Sequence, residues 1–118
     1  MTKFTLSLLL IFLSFYAISQ DKNEKYYLSE GDNLYEKGQY NEAIEAYSMA
    51  LSKNPKNHQT LLDRAVTYAE IQQYEKAIAD LNASLKIKPA NPEVYFNLGF
   101  LNFASGKYEN AISYYDSA

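Results

Sequence analysis

Residues Gly31–Pro55, GDNLYEKGQYNEAIEAYSMALSKNP, return 34 residues later as Ala65–Pro89, AVTYAEIQQYEKAIADLNASLKIKP. A third copy opens at Gly99 with GFLNFASGKYENAISYYDSA. Gly31, Ala65 and Gly99 align, as do Tyr40, Tyr74 and Tyr108, Ala43, Ala77 and Ala111, and Ile44, Ile78 and Ile112. Leu51 aligns with Leu85 and Pro55 with Pro89. A fixed period of this length restricts the chain to a stacked array. Each unit is one supersecondary element that cannot bury its apolar face alone, so neighbours must cover one another.

The apolar spacing inside a unit is helical. Tyr27, Leu28, Gly31, Leu34 and Tyr35 form one stripe, and Gly38 ends that helix by taking the left-handed conformation. Ala43, Ile44, Tyr47, Ala50 and Leu51 form the next stripe, which stops before Asn54-Pro55. In the second unit the pattern predicts helices over about His58–Ile71 and Tyr74–Ile87, with a turn near Gln72-Gln73. In the third, Asn91 is a good N-cap, Pro92 suits the first helical position and Glu93 favours the positive end of the dipole. Asn57 is the equivalent cap one unit earlier; Gly106 breaks the third pair, and the last helix begins near Tyr108. The small residues at Gly31, Ala65, Gly99, Ala43, Ala77 and Ala111 let paired backbones approach closely. Tyr40, Tyr74 and Tyr108 then fill the space by each turn.

Two helices per 34-residue unit, with Gly/Ala, Tyr, Ala and Pro at these offsets, resemble the tetratricopeptide repeat. The resemblance covers Glu24 to Ala118. Glu30 and Arg64 depart from it, standing where the family usually has leucine, while Leu98 fits; Asn102 replaces an apolar or aromatic residue. The implied fold is all-α, a right-handed α-solenoid of antiparallel helix pairs with about two and three-quarter repeats. The repeats are assigned to 24–57, 58–91 and 92–118. Ala118 aligns with Ala50 and Ser84, inside a second helix, so the chain is expected to be the N-terminal piece of a longer protein.

Residues 1–19, MTKFTLSLLLIFLSFYAIS, have the form of an export signal: Lys3, an apolar run from Phe4 to Ala17, and small residues Ala17 and Ser19 before a cut that leaves Gln20 at the front. A polar lead-in, 20–23, follows. The alternative is an uncleaved membrane anchor, against which the apolar run is shorter than the ~20 residues of a spanning helix; after cleavage no membrane span is expected. The implied location is the periplasm, cell envelope or outside, in a pattern that resembles exported bacterial proteins. The net charge of −3 becomes −4 once Lys3 is lost with the leader, which argues against nucleic acid as a partner. With no cysteine there is no disulfide framework and no thiolate chemistry.

Nothing in the chain assembles a catalytic, cofactor or metal site. His58 has no second histidine beside it and is expected to be solvated or to cap a helix. Ser48, Ser84 and Ser113 have no base at local spacing. Asp21 and Glu24 lie in a lead-in too short to fix geometry, and Glu42, Glu45, Glu75 and Asp80 are expected on the outer faces of second helices. The chain is therefore read as a non-enzyme. In the resembled family the first helices of the pairs line a concave groove that holds peptides. The corresponding residues here are Leu28, Asp32 and Tyr35, then Leu62, Val66 and Ala69, then Phe96, Phe100 and Phe103, the last three an aromatic strip on one helical face that is either a docking strip or, as the favoured reading, core covered by further repeats or another domain. The expected function is a scaffold that binds a protein or peptide partner there. The family's carboxylate clamp for chaperone tails is not expected, because its positions hold Leu28, Asp32, Asp63, Glu93 and Asn97, of which only Asn97 could contribute. Two other readings are a docking or sensor arm of a signalling protein that continues past Ala118, and an accessory module of an exported enzyme.

Overall fold

A computed structural model describes residues 7–13 and 22–118, apart from the side chain of Tyr108. The cut proposed after Ser19, and Asp21, lie outside the described residues. Residues 7–13 are helical and exposed. Among the described residues no helix is long and apolar enough to cross a membrane.

Six further helices follow: α1 Glu24–Glu36, α2 Tyr40–Lys53, α3 His58–Glu70, α4 Tyr74–Ile87, α5 Pro92–Ala104 and α6 Tyr108–Ser117. They pack as the pairs α1/α2, α3/α4 and α5/α6, and the second helix of each pair also packs on the first helix of the next. The short turns make each pair antiparallel, and the whole is an all-α solenoid.

The first helix of every pair starts on an asparagine. The Oδ1 atoms of Asn23, Asn57 and Asn91 accept from the backbone N–H groups of Tyr26 (3.0 Å), Thr60 (3.2 Å) and Glu93 (3.2 Å). Each satisfies a donor that has no partner inside the helix. Asn23 was hidden in the polar lead-in, although it stands 34 residues before Asn57. The turns inside the pairs need one left-handed residue each. Gly38 (φ 73°), Gln72 (φ 60°) and Gly106 (φ 82°) occupy it, one per repeat. Glycine does so freely; a glutamine there carries strain.

The small residues sit where the backbones approach. A Cβ on Gly31 would lie 2.6 Å from Tyr47 Cε1, and one on Gly99 2.7 Å from Tyr115 Cε1. Tyr47 and Tyr115 are 34-residue equivalents of Leu81, which packs in the same core cluster as Ala65. An aromatic ring on the second helix thus goes with glycine on the first, and leucine goes with alanine. Ala43, Ala77 and Ala111 are buried as expected. The main core cluster joins the second and third pairs through Leu62, Leu81, Val94, Leu98 and Leu101. Each fully buried leucine contributes roughly 1.5–3 kcal/mol against leaving it in water.

Several sequence expectations change here. Asp80 is buried, not on the outer surface. Its two oxygens accept from Arg64 Nε and Nη2, both at 2.7 Å, while Arg64 Nη1 donates to Ser48 Oγ at 3.0 Å. That explains a charge in a leucine position: Arg64 has a carboxylate of its own across the α3–α4 crossing. Glu24 is also held, because Asn57 Nδ2 and Asn54 Nδ2 donate to its carboxylate at 2.6 and 3.2 Å. It ties the start of α1 to the turn between the first two repeats. His58 is half-buried, with Nδ1 lacking a hydrogen-bond partner, and the helix is capped by Asn57 instead of His58. Asn102 is buried at its apolar position and donates to the Leu98 carbonyl at 2.7 Å.

Candidate functional site

The first helices of the pairs, with Tyr47 of α2 and Tyr74 and Leu81 of α4, line two adjacent hollows that share Val66. The first hollow, about 340 Å³, has carboxylates on three helices: Asp32 and Glu36 from α1, Asp63 from α3 and Glu93 from α5. Its floor is apolar and aromatic, from Tyr35, Tyr47, Leu62 and Val66. The second hollow, about 350 Å³, shares Val66 and runs over Ala69 to Asn97 and Phe100, with Glu70 at its side. Among the described residues no lysine or arginine lines either hollow.

The period explains the convergence. Gly31 on α1 leaves room for the Tyr47 ring of α2 beneath it, and the Tyr47 hydroxyl reaches the next residue, donating to Asp32 at 2.7 Å. Burial, and the Asp32 carboxylate that accepts its proton, push the Tyr47 phenol far above its ordinary pKa. Tyr35 donates to Glu70 at 3.3 Å, linking α1 to α3 along the groove. Its pKa is raised by burial first and by the Glu70 charge second. Asp63 accepts from Gln59 Nε2 at 3.1 Å. Its pKa is nevertheless raised, by burial and then by the charges of Asp32 and Glu93, with the Gln59 bond acting in the opposite direction.

Asp32, Tyr35, Leu62, Val66, Ala69, Asn97 and Phe100 are among the residues that line the hollows. Leu62 is only 1% exposed, so it is core beneath the groove and not a contact offered to a partner. Leu28, Phe96 and Phe103 line neither hollow. Leu28 is half-buried; Phe96 and Phe103 are exposed on α5, with the Phe96 ring 5.9 Å from that of Tyr115. The aromatic strip is therefore split: Phe100 turns to the groove while Phe96 packs beside α6. Asn97 Nδ2 is occupied by the Glu93 carbonyl at 2.8 Å. Sequence reasoning passed over Glu36 and Glu70. Their spacing was informative: Glu36 follows Asp32 by one turn of α1, and Glu70 follows Asp63 by two turns of α3. Among the described residues no three His, Asp or Glu side chains lie close enough together to hold a metal ion.

The family model for the TPR repeat matches residues 31–72 and 67–106. The chain belongs to the tetratricopeptide repeat family. A curated TPR relative, the small glutamine-rich tetratricopeptide repeat-containing protein 2 of Mycosarcoma maydis, is 34% identical over 87 residues, 74% of this chain. The chain spans only about a quarter (25%) of that relative's length. The solved Sgt2 TPR domain of Aspergillus fumigatus is 30% identical with a TM-score of 0.75, covering 80% of this chain and 62% of that one. The second TPR of Spaghetti (RPAP3), bound to the HSP90 peptide SRMEEVD, has a TM-score of 0.76 over 86% of this chain and 94% of its own. At 22% identity it is similar in fold alone. Two expectations lose ground here. The relatives named are eukaryotic, so they lend no support to a bacterial exported protein. A TPR structure of similar fold is bound to an HSP90 peptide, so the comparisons do not bear out the expectation that chaperone tails are excluded.

Proposed function

We propose that this TPR array is a protein-interaction module, without enzymatic activity of its own, that holds a peptide segment of a partner along α1, α3 and α5. The observation that carries this reading is that the two hollows lie side by side and share Val66 as a wall. Together they offer a track lined by side chains from all three first helices. Groove recognition of this kind draws affinity from apolar floor contacts and specificity from the polar walls. The relatives support it, being named as co-chaperones and docking or organising proteins.

The test is site-specific photo-crosslinking in the full-length protein. A photoreactive residue in place of Phe100, in the groove, should capture a discrete partner. One in place of Met49, exposed on α2, should not. Equal capture at both positions refutes groove binding. Export remains our reading of residues 1–19 alone. Its support is the sequence pattern of Lys3, the apolar run and Ala17-Ile18-Ser19. Mass spectrometry of the native protein should find Gln20 at the N-terminus; an intact Met1 refutes it.

A further inference from the structure

The groove is apolar on its floor and negative on its walls, and that combination selects an occupant. Asp32, Glu36, Asp63 and Glu93 surround the first hollow, and Glu70 flanks the second. The donors that reach these groups are neutral: Tyr47 to Asp32, Gln59 to Asp63 and Tyr35 to Glu70. Arg64, the residue next to Asp63, does not serve as a counter-charge, because its guanidinium is engaged with Asp80 and Ser48. The pKa of Asp63 is raised by burial first, and the charges of Asp32 and Glu93 add to the rise. Like charges gathered over an apolar floor repel one another and attract a cation.

Resting on the groove reading above, we propose that the partner segment is basic. A lysine or arginine head sits among Asp32, Asp63 and Glu93, and the neighbouring apolar side chains lie on Tyr35 and Val66 and run toward Phe100. The two hollows are adjacent, so a short extended stretch that alternates basic and apolar residues fits both. A carboxylate-rich tail meets the same walls as repulsion.

The test is calorimetric titration of the full-length protein with three unlabelled peptides: the capped nonapeptide AKLAKVLKA, its counterpart AELAEVLEA, and the chaperone tail SRMEEVD. The lysine peptide should bind at least about tenfold more tightly than either acidic peptide at about 0.05 M salt, and the advantage should shrink as added salt shortens the screening length. The triple variant Asp32→Asn, Asp63→Asn, Glu93→Gln should lose the advantage. It keeps an acceptor for Tyr47 and removes mutual repulsion, so circular dichroism should show it folded. The proposal is overturned if an acidic peptide binds as tightly as the lysine peptide, if the lysine peptide does not bind, or if the triple variant retains the preference. Tight binding of an acidic peptide that Val66→Glu abolishes leaves the groove reading standing and removes only the basic occupant. If no peptide binds and Phe100 captures nothing, both readings fail.

Discussion

Replacing Gly31 by alanine should destabilise the protein, even though alanine is the better helix former. The new Cβ would lie 2.6 Å from Tyr47 Cε1, 2.7 Å from Cδ1 and 3.0 Å from Cζ. Carbon atoms sit comfortably at ~3.5–4.0 Å, so the ring must shift by about 1 Å. It has little freedom: Tyr47 is 3% exposed and its hydroxyl is tied to Asp32 at 2.7 Å. Overpacking of a buried site costs about 1–3 kcal/mol. The helical gain from glycine to alanine returns about 0.5–1 kcal/mol. The net loss should lie between about 0 and about 2.5 kcal/mol, centred on about 1 kcal/mol. The second repeat supplies the control, because there Ala65 goes with Leu81. In a Tyr47→Leu background, Gly31→Ala should therefore become stabilising by about 0.5–1 kcal/mol. The assay is urea unfolding followed by circular dichroism on the four members of the double-mutant cycle. The contact account is refuted if Gly31→Ala has the same effect in both backgrounds, or stabilises the protein when Tyr47 is present.

Other consequences follow from particular side chains. Gln72→Gly should raise stability by about 1 kcal/mol, because it places glycine at the left-handed position that Gly38 and Gly106 already fill; an unchanged or lower urea midpoint contradicts this. Arg64→Leu alone should cost about 2–3 kcal/mol by leaving the Asp80 carboxylate buried without its guanidinium, a figure reduced because the Arg64 side chain is 21% exposed. Arg64→Leu with Asp80→Ala should recover most of that loss, since Leu98 and Ala46 hold the equivalent places in other repeats. Asp63→Asn should raise the melting temperature at neutral pH. The folded pKa of Asp63 lies above its ordinary value, so the charged form is penalised above that raised pKa, and the variant's gain should fade on acidification toward the ordinary aspartate range. A gain that grows as pH falls contradicts the sign.

Much of the architecture was legible because one pattern was written three times. Helix pairs, turns and close-packed small residues all recur at a 34-residue offset, and recurrence filters out local accident. What stayed hidden depends on contacts across helices. Nothing adjacent to Arg64 in sequence indicates that Asp80, on the next helix, will meet it. Asp80 looked like surface because its neighbours Glu75 and Lys76 are surface. The groove was half legible. The family offsets located Asp32, Val66 and Phe100, yet they could not show that Leu62 lies beneath the surface or that Phe96 turns toward Tyr115. Asp32 is placed in the groove by the family offset, and Asp63 and Glu93 enter the sequence reading only as obstacles to a clamp. Their meeting in one hollow shows only when α1, α3 and α5 are placed side by side.

Hydrogen exchange of the full-length protein, with and without a partner captured through Phe100, tests the central claim most directly. A segment held in the groove should slow exchange in α1, α3 and α5, most strongly across Asp32–Glu36, Asp63–Glu70 and Glu93–Phe100, and change α2 and α4 much less. Protection concentrated on α2 and α4, with the first helices unaffected, would contradict it.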